Sequence, residues 1–536
     1  MTTSRSRFNF TALVYILPLT LALLLLVVLP LLYVGAMSFM GRGAYGGTIR
    51  RFTVDAYESL ADFTYLKAVG RSICMALKSS VLCILLGYPF TFIVARKWKK
   101  SGKLLMFLLM IPVYTSSLAR LYSLVIMFNS SGLINTALMK LHIISSPLQI
   151  LYTNGSITIG LVQYLLPFAV MPLYSSIEKL DESTIEASYD LGAGKIKTFI
   201  KVILPMTFPG IIAAFIILFV PAIGTYFITD VIGGGTVYMI GNIICNQFLS
   251  ARNWPLGAAL SVCVVIFILL MLYLYSRIGN LDDLGAMKNS KLVNKITNAY
   301  VMLIYVFVFI PVIVMVAFSF NSLPSNQHWE SFTLDYYSKL FSDSEMIQVL
   351  INSLTLAVVS TLAAIFIGTL GAYALCRLKF KGHSFLNFMV FVPMVIPEIV
   401  IAVAFLGLTG AAGISKGFGV MVCAHTIFIL PYIIVTLKSR FADYDVSIEE
   451  ASLDLGANQI YTFIHIICPM ILPGIFTGGL MAFSLSFDDL IVSNFLSNTG
   501  YTTLPVKIYS NLKVGISPEY NALFTIILAV MLIATA

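Results

Sequence analysis

Three stretches of this chain, Ala12–Val34, Val81–Ala95 and Val301–Phe318, run on with almost no charge. A helix needs about 20 predominantly apolar residues to cross the hydrocarbon core of a bilayer. In that medium every backbone N–H and C=O must find its partner within the segment, so such runs are helices. Over the 536 residues, 59% are hydrophobic and 11% charged, whereas a soluble domain carries roughly a quarter charged residues. The expected fold class is therefore an all-α polytopic membrane protein. Twelve spans are expected, at roughly 12–36, 73–95, 104–127, 156–177, 203–229, 256–276, 297–319, 350–376, 385–408, 417–438, 467–494 and 518–536.

The net charge of +9 reads as a topology signal rather than a nucleic-acid footprint, because basic residues flank apolar spans. With the N-terminus in the cytoplasm, Arg96-Lys97-Trp98-Lys99-Lys100 and Arg377-Leu378-Lys379-Phe380-Lys381 both fall inside. The positive-inside rule thus favours cytoplasmic N- and C-termini in a cell membrane. The first apolar run follows Arg5 and Arg7 but is too long for a signal peptide, so it is expected to be a retained span. The seven cysteines form no C-x-x-C pair and lie mostly in apolar runs, which points to neither a disulfide framework nor a metal site.

The chain repeats itself. Glu186-Ala187-Ser188-Tyr189-Asp190-Leu191-Gly192-Ala193 returns 264 residues later as Glu450-Ala451-Ser452-Leu453-Asp454-Leu455-Gly456-Ala457. At the same shift Pro167 pairs with Pro431, and Pro209-Gly210-Ile211 with Pro473-Gly474-Ile475. Earlier in each half the shift is 281: Ser72, Gly87, Arg96 and Pro112 match Ser353, Gly368, Arg377 and Pro393. The first half thus carries about 17 extra residues outside the membrane, around 129–154. Six spans per half insert both halves the same way up, which predicts a parallel pseudo-twofold arrangement. The expected domains are residues 1–276, a polar cytoplasmic linker over 277–296, and residues 297–536.

The best-preserved segment lies in the cytoplasmic loops between spans four and five, at 178–202 and 440–466. In each, a short helix carries small residues and ends at a glycine, Gly192 or Gly456. Glu186 and Asp190, like Glu450 and Asp454, stand four apart and share one helix face. Small residues such as Ala187 and Ala451 let a partner surface approach closely.

These loops resemble the signature loop of permease subunits of binding-protein-dependent ABC importers. They depart from it only in Ser188 and Ser452, where that family has alanine. The resemblance implies a type I importer permease fold. It also implies coupling helices at Glu186–Gly192 and Glu450–Gly456, seated in two copies of a cytoplasmic ATPase that binds the ATP and magnesium. An external binding protein would deliver the solute. Gly233-Gly234, Ile240-Gly241-Asn242 and Asn253-Trp254-Pro255 resemble the first permease subunit of spermidine/putrescine importers. Pro397-Glu398-Ile399-Val400, Ser486-Phe487-Asp488-Asp489-Leu490 and Lys507-Ile508-Tyr509-Ser510 resemble the second. The two subunits are expected here as one fused chain.

Misplaced charge points to the same substrate class. A carboxylate within a span costs at least about 2.5 kcal/mol unless it has a partner or a water-filled cavity. Glu398, Asp488 and Asp489 sit in spans nine and eleven, and Asp230 at the outer end of span five. A polyamine carries ammonium groups separated by methylenes, so it asks for spaced carboxylates with aromatic faces between them. Phe487, Tyr226 and Tyr336 are the aromatic candidates. Ser117 and Gly224-Thr225 occupy the corresponding first-half positions, so the acids are asymmetric. Lys78 and Arg120 lie in spans two and three and call for a partner acid or an outward path.

No G-x-x-x-x-G-K-[ST] occurs, so the chain is not expected to hydrolyse ATP or to hold a cofactor itself. The expected function is the permease of an ATP-driven polyamine uptake system. Alternatives are an ABC permease for another small solute, such as an amino acid or a phosphonate, and an ion-coupled secondary transporter.

Overall fold

The computed structural model describes residues 10–98, 101–278, 291–323, 329–442, 445–512 and 518–535. Most of the expected linker, 277–296, lies outside them. Helices dominate, and a short antiparallel hairpin pairs Met40–Arg42 with Thr48–Phe52.

Ten helices among the described residues are long and apolar enough to cross a membrane, and one further pair counts as a broken span. Eleven of the twelve expected spans are thus accounted for, the last helix falling short of the length, and several are interrupted. The span expected at 104–127 is cut into Gly102–Met110, a 3-10 turn over Ile111–Tyr114, and Ser117–Phe128. The span expected at 385–408 is the broken pair, His383–Val395 and Glu398–Ala412, bent by 101°. The last helix, Glu519–Thr535, has 17 residues. Spans five and eleven also stop early. Leu204–Gly224 gives way to Phe227–Gly233, and Cys468–Phe487 to Ile491–Leu496.

These breaks follow from local chemistry. A residue before proline is pushed out of the helical region. Ile396, ahead of Pro397, adopts φ −72° and ψ 132°, and Pro397 itself φ −55° and ψ 136°. In the first half Thr115 and Ser116 take the same extended path, with Ser116 at φ −55° and ψ 128°, although no proline stands there. The repeat preserves the backbone and not the residue that enforces it.

The chain packs into two compact units that do not follow the two sequence halves. The first combines Met1–Ala56 and Ala251–Val262 with Glu345–Lys507; the second combines Tyr57–Ser250 and Cys263–Ser344 with Ile508–Ala536. Each half has thus given its first span to the unit built on the other half. In the first unit the Tyr15 ring packs 4.8 Å from Tyr373 and 5.1 Å from Phe463. In the second, Tyr300 and Tyr305 donate hydrogen bonds to the Leu86 and Leu105 carbonyls, at 2.7 and 2.6 Å.

Within each unit one glycine of the repeated Pro-Gly pair allows two helices to touch. A methyl group on Gly210 would stand 2.3 Å from the Ser176 side chain, and one on Gly474 would stand 2.6 Å from that of Arg440. Any larger residue would force the fourth and fifth spans apart and lift the loop between them.

Candidate functional site

The two loops between the fourth and fifth spans of each half are built alike, from the first cap to the last turn. Glu182–Asp190 starts at Asp181, whose carboxylate accepts hydrogen bonds from the Ser183 N–H at 3.1 Å and the Ser183 hydroxyl at 2.8 Å. Val446–Asp454 starts at Asp445, which accepts from the Ser447 N–H at 3.0 Å. Such caps satisfy a helix donor that has no partner within the helix. Those hydrogen bonds, with the backbone N–H first, hold both carboxyl groups below their ordinary range. Both helices end in a left-handed glycine, Gly192 at φ 77° and Gly456 at φ 90°. Their N–H groups donate to the Tyr189 and Leu453 carbonyls, at 2.8 and 3.0 Å, and the following alanines donate to those of Ser188 and Ser452. A side chain at either glycine would strain the turn.

The serines that replace alanine have a visible task. Ser188 Oγ lies 2.9 Å from Thr198 Oγ1, and Ser452 Oγ lies 2.9 Å from Thr462 Oγ1. Each hydroxyl pair ties the short helix to the start of the next span, and both threonines are fully buried. An arginine at the end of each second span anchors the same helix. That span, Phe63–Lys97, has 35 residues and so is about 50 Å long, which carries its end past the hydrocarbon. Arg96 Nη2 donates to the Leu180 carbonyl at 2.7 Å and lies 3.9 Å from Glu182. Arg377 lies 3.6 Å from Glu449, which also accepts from the Tyr373 hydroxyl at 2.6 Å. Facing outward are Glu186, Ala187, Asp190 and Leu191 in one loop, and Glu450, Ala451, Asp454 and Leu455 in the other. Leu191 is 88% and Leu455 90% exposed. Water is a poor solvent for such a surface, and a protein partner is a good one.

The acids form one cluster in each unit. In the first unit Glu398 begins the second arm of the bent span, with partial exposure. Asp488 and Asp489 occupy the break after Cys468–Phe487. The two aspartates act electrostatically on Glu398, and Glu398 acts on the Tyr432 hydroxyl. The Glu398 carboxylate makes neither a hydrogen bond nor an ion pair to any described residue. It does not cap its own helix, whose N-cap carries no side-chain bond. Asp489 is the opposite case. It is buried and accepts from the Val492 and Ser493 N–H groups, at 3.2 and 2.8 Å, and its Oδ2 lies 3.3 Å from His425 Nε2. Phe487 stacks on Phe483 with ring centres 5.9 Å apart.

In the second unit Asp230 accepts a hydrogen bond from the Tyr509 hydroxyl, and the Tyr509 ring meets Tyr226 edge-on at 6.2 Å. The break beneath is held by Asn242. Its Nδ2 donates to the Tyr226 carbonyl at 3.1 Å, and its Oδ1 accepts from Thr229 at 2.7 Å and from the Met239 N–H at 3.0 Å. Tyr336 does not join this cluster through any contact of its own. Its hydroxyl donates to the Ser322 carbonyl at 3.1 Å, and Lys339 lies 5.2 Å from its ring. Of the two intramembrane basic residues, Lys78 is exposed at the helix surface and Arg120 is fully buried.

His425, Tyr432, Asn242, Thr198 and Thr462 escape a reading of the sequence for charge. A histidine inside the apolar run Phe418–Ala442 is the one signal that would have found the first of them.

Binding-protein-dependent transport system inner membrane components match this chain twice, over residues 87–281 and 361–536. The chain belongs to that family. The permease therefore carries two family domains on one polypeptide. It is 44% identical over 259 residues to the spermidine/putrescine transport system permease protein PotB of Escherichia coli strain K12, covering 48% of this chain and 94% of PotB. It is 42% identical over 230 residues to the spermidine/putrescine transport system permease protein PotC of the same strain, covering 43% of this chain and 87% of PotC. A solved bacterial ABC transporter involved in the import of the acidic polysaccharide alginate aligns with 47% of the permease and 96% of the solved chain, at 16% identity and a TM-score of 0.38. The permease is a multi-pass membrane subunit of an ABC importer, and its family is non-enzymatic.

Proposed function

We propose that this permease forms the translocation path of an ATP-driven polyamine importer, taking spermidine or putrescine across a bacterial cell membrane. The observation that carries the reading is Glu398. An acid inside a span, without a donor of its own and beside Asp488 and Asp489, has unmet demand for a cation. An ammonium group supplies both charge and hydrogen, and Tyr432 and Phe487 offer ring faces for the methylenes between ammoniums. Asp230 with Tyr226 and Tyr509 makes a second acidic and aromatic group of the same kind. The family relatives named for spermidine and putrescine support the same substrate class.

Energy enters through the loops. Two copies of a cytoplasmic ATPase, which hold the ATP and magnesium, dock Glu186–Gly192 and Glu450–Gly456; both termini lie on that side. An external polyamine-binding protein docks on the opposite face. The two repeats, 1–276 and 297–536, are the units that evolution joined. The test is uptake of labelled spermidine by cells lacking other polyamine importers and carrying the permease with its ATPase and binding protein. Glu398→Gln should abolish uptake at an unchanged membrane level of the chain; normal uptake would remove the acid cluster from the path.

A further inference from the structure

His425 is fully buried in the Phe418–Ala442 helix, yet it makes three polar contacts on three other segments. Its Nδ1 lies 2.8 Å from Ser486 Oγ, in the last turn of Cys468–Phe487. Its Nε2 lies 3.3 Å from Asp489 Oδ2 in the break and 3.2 Å from Ser493 Oγ in the next short helix. A carboxylate only accepts, so a hydrogen on Nε2 is what makes this approach to Asp489 favourable. Asp489 Oδ1 and Oδ2 receive two backbone donors, the Val492 and Ser493 N–H groups, and the imidazole closes against Oδ2. A carboxylate so satisfied has little left to give a passing ammonium. Its neighbour Glu398 is in a different position, since the Glu398 carboxylate has no donor among the described residues.

The first half shows what this arrangement replaces. Leu161 stands where His425 stands, and Thr225 where Asp489 stands. There the Thr225 hydroxyl donates to the Pro221 carbonyl at 2.7 Å, and the neutral amide of Asn242 holds the break. A neutral device is enough to shape such a turn. The second half uses a buried imidazole and a buried carboxylate for the same task, immediately beside Asp488 and within the electrostatic reach of Glu398.

We propose that His425 is a positioning residue for the cation site: by clamping Asp489 to Ser486 and Ser493, it fixes the 488–490 turn so that Asp488 faces Glu398. The proposal rests on the polyamine reading above, and it moves Asp489 from binding the substrate to holding the turn.

The test uses the same spermidine uptake assay, with the chain's membrane level measured alongside. His425→Leu should lower uptake about tenfold or more, the loss of one charge-assisted hydrogen bond. His425→Gln keeps an N–H for Asp489 and should restore most of the rate. His425→Leu combined with Asp489→Asn should be no worse than either alone, because the two act as one unit. If His425→Leu fails to reach the membrane, Asp489→Asn alone carries the test, with the same tenfold loss expected. Normal uptake in whichever of these reaches the membrane overturns the proposal, as do equal losses in the Leu and Gln variants, or a double variant with multiplied losses. Failure of the polyamine reading is recognised separately, by normal uptake in Glu398→Gln.

Discussion

The two coupling loops agree down to single hydrogen bonds. The two breaks in the fifth and eleventh spans, which begin only about 20 residues further along the chain, fall at matching places and share almost no side chains. In the loops Asp181 and Asp445, Ser188 and Ser452, Thr198 and Thr462, and Gly192 and Gly456 each repeat one role. In the breaks Gly224-Thr225 answers Asp488-Asp489, and an amide answers an imidazole. The contrast separates two demands. On the function proposed above, identical partners pulling on both loops would require identical handles. An elongated, asymmetric cation passing between helices does not require the same chemistry on each side.

That comparison is open to attack at several points, the largest effect first. Removing the charge of both neighbouring acids, by Glu398→Gln with Asp488→Asn, should lower spermidine uptake by about 100-fold or more, since each substitution deletes a charge-assisted contact. The Ser117→Ala change at the matching first-half position should leave uptake within about twofold, and equal losses at both would erase the asymmetry. Next come the handles. Glu186→Lys and Glu450→Lys should each uncouple ATP hydrolysis from uptake, by about tenfold in the ratio of the two rates, and to the same degree. Unequal effects would show that the loops are alike in structure and not in use.

A smaller effect is expected from the hydroxyl ties. Ser188→Ala and Ser452→Ala each leave a buried threonine hydroxyl without its partner, at a cost of about 1 kcal/mol. Hydrogen exchange of the loop amides should rise about fivefold in each variant, in its own loop only. The smallest concerns acidity. Asp181 and Asp445 have carboxyl groups lowered by their capping bonds. Their contribution to helix stability is therefore complete above the ordinary carboxylate value of about 3.9 and fades as pH falls below it. Loop exchange, corrected for its intrinsic pH dependence, should stay flat from neutrality down to about pH 4 and rise below. In Asp181→Ala and Asp445→Ala that rise should be gone.

Much of this was legible in the chain itself. The Glu186–Gly192 and Glu450–Gly456 repeat marked the two matching loops, and the misplaced charges marked Glu398, Asp488 and Asp489 in one unit and Asp230 in the other. Hydropathy failed at the breaks, because it registers composition and is blind to direction. The run from 385 to 408 is apolar apart from Asn387 and Glu398, and only Ile396-Pro397 hints that it turns. The exchange of first spans between units was hidden for a different reason: a repeat in sequence says which segments are alike and nothing about which neighbours they choose. Asp489 looked like its neighbour Asp488 until His425, 64 residues away, appeared against it. Tyr336 has the ring such a site asks for, but its contacts are with Ser322 and Lys339.

The central claim is that the path selects a multiply charged organic cation. Vesicles holding the permease with its ATPase and binding protein, supplied with labelled spermidine, ATP and no ion gradient, test it most directly. The account predicts uptake that stops without ATP, that putrescine competes away, and that glutamate and methylphosphonate leave untouched. Uptake that runs on a proton gradient in the absence of ATP, or that an amino acid or a phosphonate suppresses in place of putrescine, would contradict it.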